Sequence, residues 1–101
     1  MANILIVNSS ARNKSNTRVL AATAAEAAEK NGHAVTTIDV GRADIKPCVG
    51  CEGCHRGSGG PCVIDDAMGA FYTEVSRAEV IVFSGPIYYF SVNAQAKAFL
   101  D

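Results

Sequence analysis

Short apolar runs alternate along the chain with longer segments of helical composition. The stretch Asn3–Ser9 has an uninterrupted apolar run at its centre, which is typical of a strand buried on both faces of a parallel sheet. Residues 16–31 are rich in Ala and Glu, and this composition predicts a helix that ends at Gly32. Ala34–Val40 is β-branched and lies between Gly32 and Gly41, so we predict a second strand there.

A long loop and a second helix are predicted in the middle of the chain. Residues 41–62 lack the apolar periodicity of a helix or a strand, and they contain the four cysteines. A loop of this length is usually functional. Either Asp65 or Asp66 is expected to cap the helix that follows. The apolar side chains of that helix recur at helical spacing and are Met68, Phe71, Tyr72 and Val75.

A third strand and a third helix are predicted in the last part of the chain. Glu79–Phe83 contains another continuous apolar run and predicts a strand. Residues 84–90 are predicted to form the loop that follows this strand. Asn93 is placed to cap a helix that runs to Asp101. The order of these elements indicates one α/β domain over residues 1–101, with a parallel sheet and right-handed crossovers.

Composition and charge exclude several other classes of protein. Of the 101 residues, 49% are hydrophobic and 19% are charged, which is the balance of a globular domain and not of a disordered chain. The net charge of −1 gives no basic excess for binding nucleic acid or an anionic membrane. The apolar runs are too short to span a bilayer and the first residues do not resemble a signal peptide, so we predict a cytoplasmic protein.

The turn after the first predicted strand has the composition of a phosphate-binding site. Residues 9–18 supply several hydroxyl groups, an amide and a guanidinium, and they lead directly into the first predicted helix. The start of a helix adds free N–H groups and a favourable dipole, and ligands of open α/β sheets bind at the carboxyl ends of strands. The glycine patterns of dinucleotide-binding and triphosphate-binding loops are not present, which disfavours both classes. A polar turn that only caps the helix is the alternative.

The cysteines follow the pattern C-x2-C-x2-C-x7-C, which is the most specific motif in the sequence. They are Cys48, Cys51, Cys54 and Cys62. Three thiols at intervals of three residues can hold three corners of a four-iron cluster, and bacterial ferredoxins begin with the same spacing. The pattern therefore favours a [4Fe-4S] cluster, with a zinc site, a disulfide or a metal-free thiol switch as alternatives. His55 lies inside this segment and is expected to be a solvated neighbour of the site.

An aromatic segment follows the third predicted strand, at the same edge of the sheet as the polar turn. Its residues are Pro86, Ile87, Tyr88, Tyr89 and Phe90. Consecutive aromatic side chains are costly to expose, and they form a suitable wall for a flat ring. The alternative is that the three aromatic side chains pack against a neighbouring subunit.

The polar turn, the cysteine pattern and the aromatic segment, in this order, resemble those of the flavodoxin-like NAD(P)H-dependent FMN reductases. The cysteine run is most similar to that of the iron–sulfur flavoprotein branch. The segments that carry the resemblance are Ser10–Thr17, Cys48–Cys62, Asp65–Met68, Gly85–Ser91 and Gln95–Lys97. The resemblance implies a flavodoxin-like doubly wound parallel sheet. Because family members are roughly twice as long and have five strands, the fold is expected to be truncated after the third strand.

The resemblance also implies cofactors and assigns them to individual residues. The FMN phosphate would be bound by Ser10, Arg12, Ser15, Asn16 and Thr17. The isoalloxazine ring or its ribityl chain would contact Pro86, Ile87, Tyr88, Tyr89 and Phe90. The ligands of a [4Fe-4S] cluster near the flavin would be Cys48, Cys51, Cys54 and Cys62. No catalytic acid, base or nucleophile is implied, since the cofactors supply the chemistry.

The implied activity is that of an FMN-dependent oxidoreductase or electron-transfer flavoprotein that accepts electrons from NAD(P)H or a redox partner. A cluster-free NAD(P)H:FMN or quinone-type reductase is one alternative. A non-enzymatic half-domain that binds zinc or a protein partner is another. Family members commonly form dimers or tetramers, so a homo-oligomer is expected. The third strand of a truncated fold would otherwise expose an apolar edge that invites pairing with another chain.

Overall fold

Strands and helices alternate along the chain, close to the predicted bounds except in two segments. The structure, a computed structural model, describes residues 1–55 and 62–101. The elements are β1 (Asn3–Asn8), α1 (Asn16–Lys30), β2 (Ala34–Asp39), α2 (Tyr72–Arg77), β3 (Val80–Ser84), β4 (Ile87–Tyr88), β5 (Ser91–Val92) and α3 (Ala94–Leu100), with short 3-10 helices at Gly53–His55 and Ala67–Ala70. Within these described residues, no helix is both long enough and apolar enough to cross a membrane.

The strands β1, β2 and β3 form a parallel sheet in the order β2-β1-β3. β1 is the central strand, and its Val7 lies opposite Ile38 on one side and Phe83 on the other. The side chains of Leu5, Ile6 and Val7 are at most 1% exposed. The continuous apolar run of β1 predicts burial on both faces of a parallel sheet, and the structure confirms it.

Helices cover both faces of this sheet. On one face, α2 and α3 enclose a core in which the largest side chain is Phe99. The core residues are Leu5, Val7, Ile38, Val40 and Phe99, with Met68, Phe71 and Val75 packed against them. Side chains alternate along a strand, so Ile6 points to the opposite face, where α1 contacts the strands. Burial of one such large apolar side chain contributes about 1.5–3 kcal/mol.

Local hydrogen bonds close both ends of α1. At its start, Ser15 Oγ accepts a hydrogen bond from the N–H of Arg18 (3.3 Å), which is a capping bond. At its end, Gly32 has a φ of +84°, and the N–H groups of Gly32 and the next residue donate to carbonyls of the last turn. This pair of bonds is a Schellman motif, and it confirms the predicted helix end.

The second predicted helix is divided into two parts. Asp66 caps its start, as predicted, because its side chain accepts a hydrogen bond from the N–H of Met68 (3.0 Å). The capped turn, Ala67–Ala70, is a 3-10 helix, and α2 begins only at Tyr72. Gly69 lies inside this turn, and glycine is about 1 kcal/mol less favourable than alanine within an α-helix. One uninterrupted helix from Asp66 onwards is therefore a wrong prediction.

The predicted loop over residues 84–90 is also wrong in its second half, where a hairpin forms. β4 and β5 pair antiparallel, with Ile87 opposite Val92. The two turn residues, Tyr89 and Phe90, have φ angles of 49° and 66°. Two successive left-handed residues close a tight two-residue hairpin, and Gly or Asn normally signals such a turn in a sequence. Because both positions are aromatic here, the sequence contains no signal for the hairpin and predicts only a loop.

β3 is an edge strand of the sheet in the described part of the chain. The side chains of Val80, Ile81, Val82 and Phe83 are 36–46% exposed, although all four are apolar. This matches the exposed apolar edge expected from the sequence. An edge of this kind has unpaired backbone groups that readily accept a further strand.

Candidate functional site

The β1–α1 loop, which we define as residues 9–15, lies at the carboxyl edge of the sheet, where β1 ends. Ser9 and Ser10 are buried, and glycines of two neighbouring segments approach them closely. A Cβ atom on Gly41 would lie 2.0 Å from the Ser10 carbonyl oxygen. A Cβ atom on Gly85 would lie 2.0 Å from Ser9 Oγ. Gly41 therefore requires glycine, because the added atom would meet backbone, whereas at Gly85 the Ser9 hydroxyl would have to move. The chain segments after β2 and β3 thus pack directly against the loop.

The loop and the first turn of α1 bring together the five residues predicted to bind a phosphate. The hydroxyl oxygens of Ser15 and Thr17 lie 3.1 Å apart at the start of α1. Ser10 Oγ accepts a hydrogen bond from the N–H of Arg12 (3.3 Å). The side chains of Arg12 and Asn16 are exposed. Together with the N–H groups of the first helical turn, these side chains offer several hydrogen-bond donors to an anion.

Two arginines that sequence reasoning missed bind the carbonyl groups of this loop. The Arg18 guanidinium donates to the carbonyl oxygens of Ser10 (2.8 Å) and Arg12 (2.5 Å). Arg42, which follows β2, donates from Nε to the carbonyl oxygen of Ala11 (2.8 Å). The position of Arg18 in the first turn of the helix, beside the polar turn, is a sequence signal that could have found it. The role of Arg42 depends on the packing of two loops.

Two polar side chains, one on either side of the aromatic hairpin, donate hydrogen bonds to the β1–α1 loop and to the first turn of α1. The Ser84 hydroxyl, at the end of β3, donates to the carbonyl oxygen of Thr17 (2.7 Å). The buried Asn93 donates from Nδ2 to the carbonyl oxygen of Ser9 (2.7 Å). Its Oδ1 accepts a hydrogen bond from the N–H of Ala96 (3.2 Å). Asn93 therefore caps α3, as predicted, and also fixes the start of α3 to the β1–α1 loop.

The hairpin places its aromatic side chains at the protein surface. Tyr89 and Phe90 are 94% and 95% exposed, and their ring centroids lie 5.7 Å apart in an edge-to-face arrangement. Ile87 and Tyr88 are also exposed, whereas Pro86 is half-buried. The hairpin therefore exposes an apolar, aromatic surface to solvent, next to the edge of the sheet where the β1–α1 loop lies.

The four predicted metal ligands are free, exposed thiols. The N–H of Gly50 donates to Cys48 Sγ (3.3 Å), and the N–H of Ile64 donates to Cys62 Sγ (3.4 Å). Backbone hydrogen bonds to sulfur of this kind adjust the reduction potential of iron–sulfur clusters. Residues 56–61 of the predicted cysteine-rich loop lie outside the described residues.

Three of the four cysteines share one cavity of about 560 Å³. Cys48, Cys54 and Cys62 line this cavity together with apolar side chains, among them Phe83 and Phe99. Cys51 is not among the described residues that line it. Within residues 1–55 and 62–101, no group of three or more His, Cys, Asp or Glu side chains is arranged to hold a metal ion. Four thiols are the usual donor set of an iron–sulfur cluster, but in the described part of the chain they do not surround one common metal position.

Tyr72 borders the same cavity, beside the thiols. Burial raises the pKa of its phenol, and the neighbouring Cys62 and Asp66 raise it further. A phenol is protonated at neutral pH even without such a shift, so the Tyr72 hydroxyl is able to donate a hydrogen bond there. Sequence reasoning assigns Tyr72 only to the apolar face of a helix, because nothing in the spacing shows that the cysteine segment packs against it.

Comparison with known proteins assigns the chain to a family. The model of the family described as NADPH-dependent FMN reductase matches residues 2–101. An iron-sulfur flavoprotein of Methanocaldococcus jannaschii is 28% identical over 98 residues, which cover 97% of this chain and 50% of that protein. An iron-sulfur flavoprotein of Archaeoglobus fulgidus is 32% identical over 98 residues, which cover 97% of this chain and 47% of that protein. The chain thus spans about half the length of these curated relatives.

A solved structure has the same fold. The crystal structure of RosB with bound 8-demethyl-8-formylriboflavin-5′-phosphate matches with a TM-score of 0.75 and 20% sequence identity. The match covers 99% of this chain and 41% of the RosB chain. It confirms the predicted flavodoxin-like α/β fold. Since the family model covers nearly every residue, the chain belongs to the NADPH-dependent FMN reductase family.

Proposed function

We propose that the protein binds FMN and acts as an oxidoreductase or electron-transfer flavoprotein, with NAD(P)H or a redox partner as the source of electrons. The observation that carries this proposal is the pair of hydrogen bonds that Ser84 and Asn93, on either side of the hairpin, donate to the carbonyls of Thr17 and Ser9. These bonds bring a polar loop at the start of a helix and an aromatic surface to one edge of the sheet. A cofactor with a phosphate at one end and a flat ring at the other requires both.

In this proposal the phosphate lies against the β1–α1 loop and the start of α1. Its ligands are Ser10, Arg12, Ser15, Asn16 and Thr17. The exposed Arg12 supplies a positive charge, and the helix adds N–H groups and the favourable end of its dipole. A charge-assisted hydrogen bond of this kind contributes about 1.5–3 kcal/mol, so we expect Arg12→Ala to weaken FMN binding on that scale.

The flavin ring or its ribityl chain lies against the hairpin in this proposal. The contacting residues are Pro86, Ile87, Tyr88, Tyr89 and Phe90. Tyr89 and Phe90 are almost fully exposed, so a flat ring would remove a large apolar area from water. When bound, FMN supplies the hydride- and electron-transfer chemistry, while the chain binds it, orients it and shields it from water.

We further propose that Cys48, Cys51, Cys54 and Cys62 hold a [4Fe-4S] cluster near the flavin. Two observations support this: three of the thiols line one cavity, and backbone N–H groups donate to the sulfurs of Cys48 and Cys62. The printed names of the archaeal relatives support it as well. Cys51 has to turn towards the same cavity, and metal binding commonly orders its own ligands in this way.

An anaerobic absorption spectrum of the purified protein, with FMN, iron, zinc and sulfide assayed on the same sample, tests both proposals. We expect bound FMN together with about four iron and four sulfide ions per chain. Flavin without iron would favour the cluster-free reductase instead. Zinc without flavin would favour a binding module, and a protein that stays colourless after FMN addition and cluster reconstitution would contradict both proposals.

The exposed apolar edge of β3 supports a separate proposal, that the protein is a homo-oligomer. Val80 and Phe83 keep nearly half of their side-chain area in contact with water, and an unpaired apolar edge strand favours contact with another strand. Sedimentation equilibrium tests this directly. A mass that is a multiple of the chain mass supports the oligomer, and the mass of a single chain at all concentrations contradicts it.

A further inference from the structure

Three consecutive carbonyl oxygens of the β1–α1 loop each accept a hydrogen bond from an arginine side chain. Arg18 donates to the carbonyls of Ser10 (2.8 Å) and Arg12 (2.5 Å), and Arg42 donates to the carbonyl of Ala11 (2.8 Å). Arg18 belongs to α1, whereas Arg42 belongs to the segment that follows β2. Two separate parts of the fold therefore hold the same short stretch of backbone.

These bonds fix the direction of the loop's N–H groups. In a planar trans peptide, the C=O of one residue and the N–H of the next point in opposite directions. Since the carbonyls of Ser10 and Arg12 point to Arg18, the N–H groups of Ala11 and Asn13 point away from it. Backbone N–H groups that a loop holds in one direction can act as donors to an anion. The arginines thus orient donors that they do not themselves supply.

Asp39 fixes the orientation of Arg18. Its Oδ2 lies 2.8 Å from Arg18 Nη1, so the guanidinium has partners in both the loop and β2. The Asp39 side chain is 46% exposed, and an ion pair this accessible contributes little to stability. Its contribution is geometric, because a planar guanidinium with three fixed partners cannot rotate freely. The register that sets Asn8 opposite Asp39 brings this carboxylate to the loop.

We propose that Arg18 and Arg42 are positioning residues for the phosphate of FMN, and that they set the preference of the site for FMN over riboflavin. The inference rests on the proposed function, because it requires the phosphate to lie against the β1–α1 loop. Neither arginine has to touch the flavin. Each acts through the carbonyls that it binds. Removal of Arg18 frees the N–H groups of Ala11 and Asn13 to turn away from the phosphate. Removal of Arg42 frees only the peptide whose N–H, that of Arg12, donates to Ser10 Oγ, so it loosens the loop without releasing a donor that faces the phosphate.

Titration of FMN and of riboflavin into the full chain, followed by flavin fluorescence, tests this inference. We expect Arg18→Gln to weaken FMN binding about tenfold or more, which corresponds to about 1.4 kcal/mol. Riboflavin binding should stay unchanged, because riboflavin has no phosphate. Arg42→Gln, which frees a single carbonyl, should weaken FMN binding by a smaller factor.

A charge-preserving variant separates geometry from simple attraction. Arg18→Lys keeps the positive charge, but a lysine ammonium is a point charge that cannot reproduce the planar fork of donors. Positioning predicts that FMN binding of this variant falls almost as far as that of Arg18→Gln. Lys30→Gln is the matched control, since it removes a cation from the far end of α1 without contact to the loop, and it should leave both flavin affinities unchanged.

If Arg18→Gln fails to fold, the same two titrations are carried out on Asp39→Asn. It leaves the arginine in place and removes its charged partner, so a smaller loss of FMN binding in the same direction is expected. Equal losses for FMN and riboflavin, or wild-type FMN binding by Arg18→Lys, would overturn the positioning role. A wild-type protein that binds neither flavin would instead overturn the proposed function, and this inference with it.

Discussion

The β1–α1 loop and the segment that carries Cys48, Cys51, Cys54 and Cys62, called the cysteine segment below, are both candidate binding regions. The loop is held by residues that are distant in the sequence, whereas the backbone bonds to the cysteine sulfurs are local. Ser9 and Ser10 are buried, and the hydrogen bonds of the loop reach residues far away in the sequence, such as Asn93. The backbone hydrogen bonds to the sulfurs of Cys48 and Cys62 come from residues only two positions away. All four thiols are exposed.

The fold therefore orders the β1–α1 loop before any ligand binds, whereas the cysteines need their ligand to reach a fixed arrangement. A loop already held in place loses little conformational freedom when a ligand binds. Exposed cysteines gain a fixed arrangement mainly from the metal that they bind. Substitutions around the β1–α1 loop should therefore change both stability and flavin binding, whereas cysteine substitutions should change the metal content alone.

Asn93→Ala is the substitution expected to have the largest effect on stability. It removes the N-cap of α3 and leaves the buried Ser9 carbonyl without its donor. Loss of a cap costs about 1 kcal/mol and an unsatisfied buried group about 1–3 kcal/mol, so we expect the free energy of unfolding to fall by about 3 kcal/mol. Urea denaturation measures this change.

The variant Asn93→Ser separates the two roles of this side chain. Serine is a good N-cap but is too short to donate to the carbonyl of Ser9. We expect it to recover the capping part of the loss and not the rest. If Asn93→Ser were as stable as the wild type, the bond to Ser9 would contribute nothing. The β1–α1 loop would then be no more firmly held than the segment that carries the cysteines.

Gly41→Ala is expected to have the next largest effect. Its Cβ would lie 2.0 Å from the Ser10 carbonyl oxygen, so the loop or the segment after β2 has to shift. Overpacking of this kind costs about 1–3 kcal/mol, and the shift should also weaken FMN binding. Gly69→Ala is the matched control, because nothing lies within 4 Å of its added Cβ. Equal unfolding free energies for the two variants would show that the loop adapts easily.

The main elements of the fold could be predicted because each depends on nearby residues. The apolar run of β1 specifies a strand buried on both faces, and Gly32 ends α1 with a local bond pattern. The hairpin could not be predicted in this way. Its turn places Tyr89 and Phe90 in a left-handed conformation, for which the usual glycine or asparagine signal is not present.

Within the candidate site, the sequence predicts only those residues whose side-chain chemistry and spacing indicate a ligand. Hydroxyl groups and Arg12 in a turn before a helix suggest a phosphate, and the cysteine spacing suggests a metal. The roles of Arg18 and Arg42 require knowledge of which loops pack together, and the strand register decides that. The second bond of Asn93 likewise joins residues 84 positions apart, which no local pattern reveals.

Cys48→Ser is expected to leave stability almost unchanged while it removes the metal. The thiol is exposed and its backbone bond is local, so the free energy of unfolding of the metal-free protein should change by no more than about 0.5 kcal/mol. Iron and sulfide should nevertheless fall well below the wild-type content after reconstitution, while FMN affinity stays the same. Ser76→Ala, which changes an exposed residue at the same cavity, should retain both iron and FMN. Full iron content in Cys48→Ser would exclude this thiol as a ligand. A loss of stability above about 1 kcal/mol in the metal-free protein would instead show that the fold holds the cysteine segment as firmly as the β1–α1 loop.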